Sequence, residues 1–292
     1  MVLLAACWSV LSLVKGARGD ASAIDTSSVV LLAAGDIADC ANLAGAEATA
    51  KILEQNSGIV AAIGDLAYPD GTRENFKCYD QTWGRVKNRT RPAPGNHEFH
   101  SQGATFYFEY FGDAAGDPKS GFYSYDLGAW HIVSLNSECA EIGGCNEGSL
   151  EEKWLRADLA AHPAACTLAY FHKPLFSSGA THGNDPEVKP LFQALYDANA
   201  DVVLGGHDHD YERFAPQDAN GKPDSARGIR EIVVGTGGKS HRVFAAPLPN
   251  SEIRDNTAFG VLKLTLKSDS YEWKFIPEAG KTFTDFGIGQ CH

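Results

Sequence analysis

Short apolar runs of strand length recur along this sequence, and each leads directly into glycine or into a residue that can bind a metal ion. Four such runs lie at residues 29–34, 58–63, 167–171 and 200–204. Between the first two, alanines and leucines at i, i+3 and i+4 spacing predict a helix from about Leu43 to Gln55. Strand, helix and strand in this order predict a right-handed βαβ unit with two parallel strands.

Aspartates follow the first two apolar runs. Asp36 comes after Gly35, and Asp65 comes after Gly64. Because the carboxyl ends of the two strands meet at one sheet edge, the βαβ unit places both carboxylates side by side. Either aspartate alone could be a turn residue, but the repetition at equivalent strand ends favours a shared role.

Two histidines follow the last of these runs. His207 and His209 are two positions apart on predicted extended backbone, so their side chains point the same way. Neutral imidazole is the commonest protein metal ligand, and open α/β sheets bind ligands at the carboxyl ends of their strands. A lone His-x-His can also be two polar residues at the mouth of a loop, so the interpretation depends on partners at other strand ends.

Further polar residues are predicted at the same edge. Asn96 and His97 follow a third element that begins near Arg91, and His172 follows the strand at 167–171. His182 belongs to a loop that passes over this edge, and a solvated loop histidine is the alternative interpretation for it.

Three other features receive structural interpretations. His131 begins a strand instead of ending one, which favours a hydrogen-bonded core histidine over a ligand. Residues 235–239 are rich in glycine but lack the spacing of a phosphate-binding loop, so we predict a tight turn. Residues 260–267 and 271–277 predict a late hairpin that completes a second sheet.

Composition limits the choice of partners. The chain has 292 residues, 43% of them hydrophobic, enough for a large core in one large domain or two small ones. The 25 Lys and Arg residues against 37 Asp and Glu residues give a net charge of -12. This balance argues against binding to a nucleic-acid backbone. Bound metal ions would then supply the positive charge for a phosphorylated substrate.

The amino terminus is typical of an exported protein. Residues 1–23 predict a signal peptide: an apolar stretch too short to span a bilayer precedes a small-x-small cleavage site at Ala21 to Ala23. No Lys or Arg precedes the apolar stretch. The signal peptide leads us to expect a secreted, extracellular or periplasmic protein with no transmembrane segment. Lipid anchoring at Cys7 is the alternative.

Six of the seven cysteines lie beyond the predicted signal peptide. An even number in an exported chain without a Cys-x-x-Cys pair favours disulfides over thiolate metal ligands. The sequence does not determine their connectivity. The arrangement that we favour joins Cys40 to Cys78, Cys139 to Cys145, and Cys166 to Cys291.

Five ordered blocks carry a family resemblance. They are Gly35-Asp36, Gly64-Asp65-x-x-Tyr68, Gly95-Asn96-His97-Glu98, His172 and Gly206-His207-x-His209. In this order and spacing the chain resembles the calcineurin-like metallophosphoesterase superfamily over roughly residues 29 to 240. Tyr68 resembles the purple acid phosphatase branch, in a compact single-domain form. Ala38 departs from the Asp-x-Gly usual in the first block of that branch.

The resemblance implies a fold, a site and an activity. The fold would be an α/β (α+β) four-layer sandwich of two mixed β-sheets flanked by helices, forming one catalytic domain at residues 24–292. One metal ion would be bound by Asp36, Asp65, Tyr68 and His209, and a second by Asp65, Asn96, His172 and His207. A phenolate favours Fe(III), with a divalent Fe, Zn or Mn ion beside it.

The implied activity is hydrolysis of small phosphomonoesters by a secreted acid phosphatase, through hydroxide generated between the two ions. His97 and His182 would hold phosphate oxygens or protonate the leaving group. Glu98 and Asp208 would orient ligated histidines. A phosphodiesterase or nucleotidase is the alternative enzyme, and a binding protein that uses the same fold is the alternative outside catalysis.

Overall fold

The computed structural model describes Val2 and residues 28–292. The predicted signal peptide and the alternative anchor at Cys7 lie outside the described residues, apart from Val2. The strands are β1 Val29–Ala34, β2 Ala38–Asp39, β3 Ile59–Ile63, β4 Ala67–Tyr68, β5 Thr90–Ala93, β6 Tyr123–Leu127, β7 Trp130–Ser134, β8 Cys166–Tyr170, β9 Val202–Gly205, β10 Tyr211–Phe214, β11 Arg230–Val234, β12 Ser251–Asp255, β13 Gly260–Leu266, β14 Ser270–Pro277 and β15 Phe286–Gln290. The helices are α1 Ala44–Gln55, α2 Arg73–Gln81, α3 Asn96–Phe99, α4 Thr105–Phe111, α5 Leu150–Ala161 and α6 Lys189–Asp197. Short 3-10 helices lie at Trp83–Arg89, Gln102–Ala104, Gly112–Ala115, Cys139–Glu141 and Pro186–Val188.

Two mixed sheets form the centre of the molecule. The first has the order β15-β14-β13-β1-β3-β5, and the second has the order β12-β10-β11-β9-β8-β7-β6. In the first sheet β1, β3 and β5 are parallel, and in the second β7, β8, β9 and β11 are parallel. A small parallel pair, β2 with β4, lies just beyond the ends of β1 and β3. The predicted βαβ unit and the expected pair of mixed sheets are therefore confirmed.

Side chains that alternate between the two faces of the strands form two separate apolar layers. In β8, Leu168 and Tyr170 join the core shared with the first sheet, whereas Ala169 joins the core shared with the helices. Successive side chains of a strand point to opposite faces, so each central strand must be apolar on both sides. Leu155 of α5 and Leu191 of α6 cover the outer face of the second sheet.

The late hairpin does not belong to the second sheet, contrary to the prediction. β13 pairs antiparallel with β1 over five positions, from Val29 with Leu266 to Ala33 with Leu262, so β13 to β15 extend the first sheet. Apolar alternation specifies that a strand is half-buried but not which neighbour it will pair with. The sequence of the hairpin therefore does not indicate which of the two sheets it joins.

Several smaller predictions are confirmed. Disulfides join Cys40 to Cys78, Cys139 to Cys145, and Cys166 to Cys291. His131 is a buried histidine whose two ring nitrogens lie 3.0 Å from Asp126 Oδ1 and 2.8 Å from Asp158 Oδ2. Among the described helices, none has both the length and the apolar character needed to cross a membrane.

Candidate metal centre

Three parallel strands of the first sheet and two of the second are followed by polar residues on the same side of the molecule. Asp36 follows β1 and Asp65 follows β3, while Asn96 follows β5. From the second sheet, His172 follows β8 and His207 follows β9. The two sheets bring their strand ends to the same side of the molecule, so residues far apart in sequence meet there.

Three of these residues have left-handed backbone. Asp36, Asp65 and His207 have φ values of 62°, 51° and 69°. Non-glycine residues rarely take this conformation, and clusters of it mark functional sites where surrounding contacts hold the backbone in place. Gly64 packs directly on His172: a Cβ at Gly64 would lie 2.5 Å from that ring. Only glycine fits between the two strand ends.

The first cluster of donor atoms surrounds the phenol of Tyr68. Its hydroxyl lies 2.8 Å from Asp36 Oδ1, 3.0 Å from Asp65 Oδ2 and 3.2 Å from His209 Nε2. Nε2 of His209 is also 3.3 Å from Asp36 Oδ1. All four side chains are buried. Two carboxylate oxygens and one imidazole nitrogen thus converge on the phenol oxygen of Tyr68.

The second cluster surrounds His172. Its Nε2 lies 3.2 Å from Asp65 Oδ2 and 3.1 Å from Nδ1 of His207. The side-chain oxygen of Asn96 is buried and accepts no hydrogen bond from any described residue. An unpaired buried amide oxygen is costly unless it has another partner, and a cation is a suitable one. Asp65 belongs to both clusters.

Hydrogen bonds orient two of the histidines toward the clusters. Nδ1 of His172 lies 3.0 Å from the carbonyl of Ile63, and Nδ1 of His209 lies 2.6 Å from Ser240 Oγ. When Nδ1 carries the proton and donates, Nε2 is left with a free lone pair. Ser240 was not identified from the sequence. The only local feature that marks this residue is its position directly after the glycine-rich turn at residues 235–239.

The electrostatics of the site favour bound positive charge. Burial raises the pKa of the Asp65 carboxyl, but the charges of His172 and His97 outweigh burial and hold it below its usual range. Burial lowers the pKa of His172, yet Asp65 raises it to about 10. Burial and the carboxylates of Asp36 and Asp65 raise the pKa of Tyr68 well above its ordinary value. A cation next to the phenol would reverse that effect.

The donor set fits metal ions. Carboxylate, imidazole, phenol and amide donors together suit a hard or borderline divalent or trivalent ion. The ligand atoms of Asp65, His172 and His207 lie within 4.8 Å of one another. Asp36, Tyr68 and His209 lie on the other side of this group, and Asp65 Oδ2 contacts both the Tyr68 hydroxyl and His172 Nε2.

The two predicted catalytic histidines lie at the rim of these clusters. His97 places Nε2 3.7 Å from Asp65 Oδ2, and its ring centroid is 4.3 Å from that of Tyr68. The exposed ring of His182 stacks on His207 with centroids 3.8 Å apart. Both imidazoles therefore lie directly beside residues of the two clusters.

Two predicted supporting residues have different roles from those expected. Glu98 accepts hydrogen bonds from the backbone of Asp65, Leu66, Ala67 and Gly95, and within the described part of the chain it forms no hydrogen bond with a histidine of the clusters. It therefore shapes the chain after β3. The carboxylate of Asp208 bonds to the loop at residues 177–183 instead of to His207 or His209. Sequence position alone could not show where either carboxylate points.

Two packed mixed sheets with this donor set at one edge define the class of metal-dependent phosphoesterases. The family profile described as "Calcineurin-like phosphoesterase" matches residues 29–211, and the chain belongs to this family.

Purple acid phosphatases are among the sequence relatives of the chain. It is 30% identical to purple acid phosphatase 23 of Arabidopsis thaliana over 201 residues, which are 56% of this chain and 43% of that protein. Human acid phosphatase type 7 is 28% identical over 56% of this chain and 43% of its own length. The chain thus spans less than half of these relatives.

The fold is shared with a purple acid phosphatase from yellow lupin seeds, with a TM-score of 0.76 and 20% identity over 89% of this chain and 53% of the lupin chain. A second structure with this fold is that of GAP50, the anchor in the inner membrane complex of Plasmodium. It has a TM-score of 0.66 and 15% identity, and the match covers 88% of each chain.

Proposed function

We propose that this chain is a phosphatase that hydrolyses small phosphate monoesters at a centre holding two metal ions. The observation that carries the proposal is the position of Asp65. Its Oδ2 lies 3.0 Å from the Tyr68 hydroxyl and 3.2 Å from His172 Nε2, so one carboxylate oxygen contacts both donor clusters. A carboxylate shared in this way is suited to bridge two cations.

Each ion would have its own set of ligands. Asp36, Tyr68 and His209 would hold one ion, His172, His207 and Asn96 the other, and Asp65 both. The phenol of Tyr68 favours Fe(III) at the first position, with divalent iron, zinc or manganese at the second. Bound there, the ions would supply positive charge for the phosphate and acidify a water molecule.

The histidines at the rim would act on the substrate. His97 is held by its backbone N–H, which donates to Asp65 Oδ1 at 2.9 Å, so its imidazole stays beside the carboxylate common to both clusters. We assign His97 and His182 to binding the phosphate oxygens and to protonating the leaving alkoxide. A positioned general acid of this kind contributes roughly 10²- to 10⁴-fold to the rate.

The net charge indicates the type of substrate, and the disulfides indicate the compartment. A net charge of -12 favours a small phosphorylated substrate over a nucleic-acid backbone. Three disulfides favour an oxidising compartment, so we propose a secreted protein whose residues 24–292 form one catalytic domain.

The test compares wild type with His172→Ala. We expect the wild-type protein, purified with its metals, to contain about two ions per chain and to release phosphate from p-nitrophenyl phosphate. His172→Ala should lose at least about 100-fold in kcat with unchanged circular dichroism, because one position loses a ligand. His162→Gln is the matched control, since His162 is an exposed histidine outside the centre.

The outcomes separate the alternatives. Hydrolysis of bis(p-nitrophenyl) phosphate at a rate comparable with the monoester would replace the phosphatase assignment with a phosphodiesterase. A wild-type protein that binds metal but cleaves neither ester would contradict both assignments and favour a binding protein on this fold.

A further inference from the structure

Asp208 lies between two of the proposed ligands, His207 and His209, but its side chain serves a different segment. It is completely buried. Its carboxylate accepts hydrogen bonds from Ser177 Oγ at 2.6 Å and Gly183 N at 2.9 Å through Oδ2, and from His182 N at 3.3 Å through Oδ1. We call residues 177–183 the rim loop, because they carry His182.

The rim loop wraps tightly around this carboxylate. A Cβ at Gly179 would lie 2.1 to 2.3 Å from the Asp208 carboxylate atoms, so glycine is required there. Ser177 Oγ, which donates to Asp208, also accepts from Gly179 N at 3.0 Å. The opposite side of the loop is held separately, since Glu212 accepts from Ser178 N at 2.6 Å.

The position of His182 depends on this arrangement. Its imidazole forms no hydrogen bond or ion pair with any other described residue, and its one ring contact is the stack on His207, with centroids 3.8 Å apart and planes at 29°. His207 immediately precedes Asp208. The same short segment therefore supplies both the ring beneath His182 and the carboxylate that holds its backbone.

We propose that Asp208 is a positioning residue that fixes His182 over the metal centre. The proposal rests on the phosphatase function proposed above, in which His182 contacts the substrate. Because misplacing a catalytic group by about 1 Å can cost about 100-fold in rate, three hydrogen bonds to the loop that carries it are sufficient to affect turnover.

Asp208→Asn tests this role with little change in shape. The asparagine oxygen can still accept from Ser177 and Gly183, but its NH₂ group then faces the N–H of His182, and two donors repel. We expect kcat for p-nitrophenyl phosphate to fall about 10-fold, with KM changed less and metal content unchanged. Asp201→Asn is the control, because that buried carboxylate binds the Thr167 and His292 backbone at the other end of the strands.

A double-mutant comparison shows whether Asp208 affects kcat through His182. In a His182→Ala background, Asp208→Asn should change kcat less than about twofold, because the group that it positions is gone. The same loss in both backgrounds would overturn the proposal, as would wild-type kcat in Asp208→Asn.

A structural measurement separates this inference from the phosphatase function. In protein prepared with zinc, nuclear Overhauser effects between the His182 and His207 rings should be present in wild type and Asp201→Asn and lost in Asp208→Asn. If wild type hydrolyses no phosphate ester, the proposed function fails, and this measurement still decides the positioning role: retained ring contacts in Asp208→Asn would overturn it.

Discussion

The hydroxyl of Ser240 lies 2.6 Å from Nδ1 of His209, while Nε2 of the same ring lies 3.3 Å from the Asp36 carboxylate. Ser240 belongs to the segment after β11, and the backbone of that segment also bonds to the segment after β1: Lys239 N donates to Asp36 O at 2.9 Å. One short stretch thus fixes both the ring orientation of His209 and the backbone of Asp36.

Removing the Ser240 hydroxyl should weaken metal binding. In Ser240→Ala, Nδ1 of His209 loses its partner, so the ring can rotate or change tautomer. Loss of such an orienting group typically lowers metal affinity 10- to 100-fold. Titration of metal-free protein with zinc measures the effect, with Ser225→Ala, an exposed serine, as the control. Equal affinities in the two variants would contradict the role.

Tyr68→Phe should remove visible absorption. If Fe(III) occupies the position beside Asp36, a phenolate ligand gives the wild type a broad charge-transfer band, and phenylalanine cannot replace it. Tyr79→Phe is a matched control, because the buried Tyr79 hydroxyl has no hydrogen-bond partner among the described residues. Absorption spectra of the three proteins at equal iron content test this. A band that persists in Tyr68→Phe would exclude Tyr68 as the phenolate ligand.

The fold should become less stable as the pH rises from about 5 to 8. Burial raises the pKa of Glu231 to about 8, although the backbone of Leu175 and Phe176 donates to its carboxylate. Between its unfolded and folded pKa values the folded state holds a proton that the unfolded state has lost, so unfolding becomes easier as pH rises.

The contribution of Glu231 can be isolated by urea unfolding at several pH values. Each such group adds at most about 1.4 kcal/mol per pH unit to the slope of the free energy of unfolding. Glu231→Gln does not titrate and should flatten the profile. Glu147→Gln, at an exposed position, is the control. Identical slopes in wild type and Glu231→Gln would show that Glu231 ionises normally.

The disulfide between Cys166 and Cys291 should stabilise the fold more than the one between Cys139 and Cys145. The first spans 125 residues and the second spans 6. A longer closed loop removes more entropy from the unfolded chain, and the chain-entropy relation gives a difference of about 2 to 3 kcal/mol. Unfolding of the two paired Cys→Ala variants measures it. Equal losses would show that loop length is not the deciding factor here.

Local sequence patterns predicted the residues that meet at the sheet edge. Asp36, Asp65, His172 and His207 each follow a continuous apolar run, and the carboxyl ends of parallel strands must share an edge once the strands pair. The periodic segment after the first strand likewise predicted a helix from about Leu43 to Gln55, and α1 is observed at Ala44–Gln55.

Contacts between distant segments could not be predicted in this way. The pairing of β13 with β1, the bond from Ser240 to His209 and the bonds from Asp208 to the rim loop join positions that no local pattern relates. A buried carboxylate must find donors, but many backbone N–H groups satisfy that need equally well. The choice among them depends on where the packed sheets bring each loop.

The sequence by itself therefore determined which residue types end the strands, the parallel arrangement of the first two strands and the family to which these blocks are similar. The resemblance implied that Asp65 belongs to both ligand sets, whereas tertiary structure alone decided that Ser240 lies beside His209 and that Asp208 faces His182. The physical reason is that strand periodicity and turn chemistry act over a few residues, whereas the direction of a side chain at a loop is set by its contacts with other elements of the packed fold.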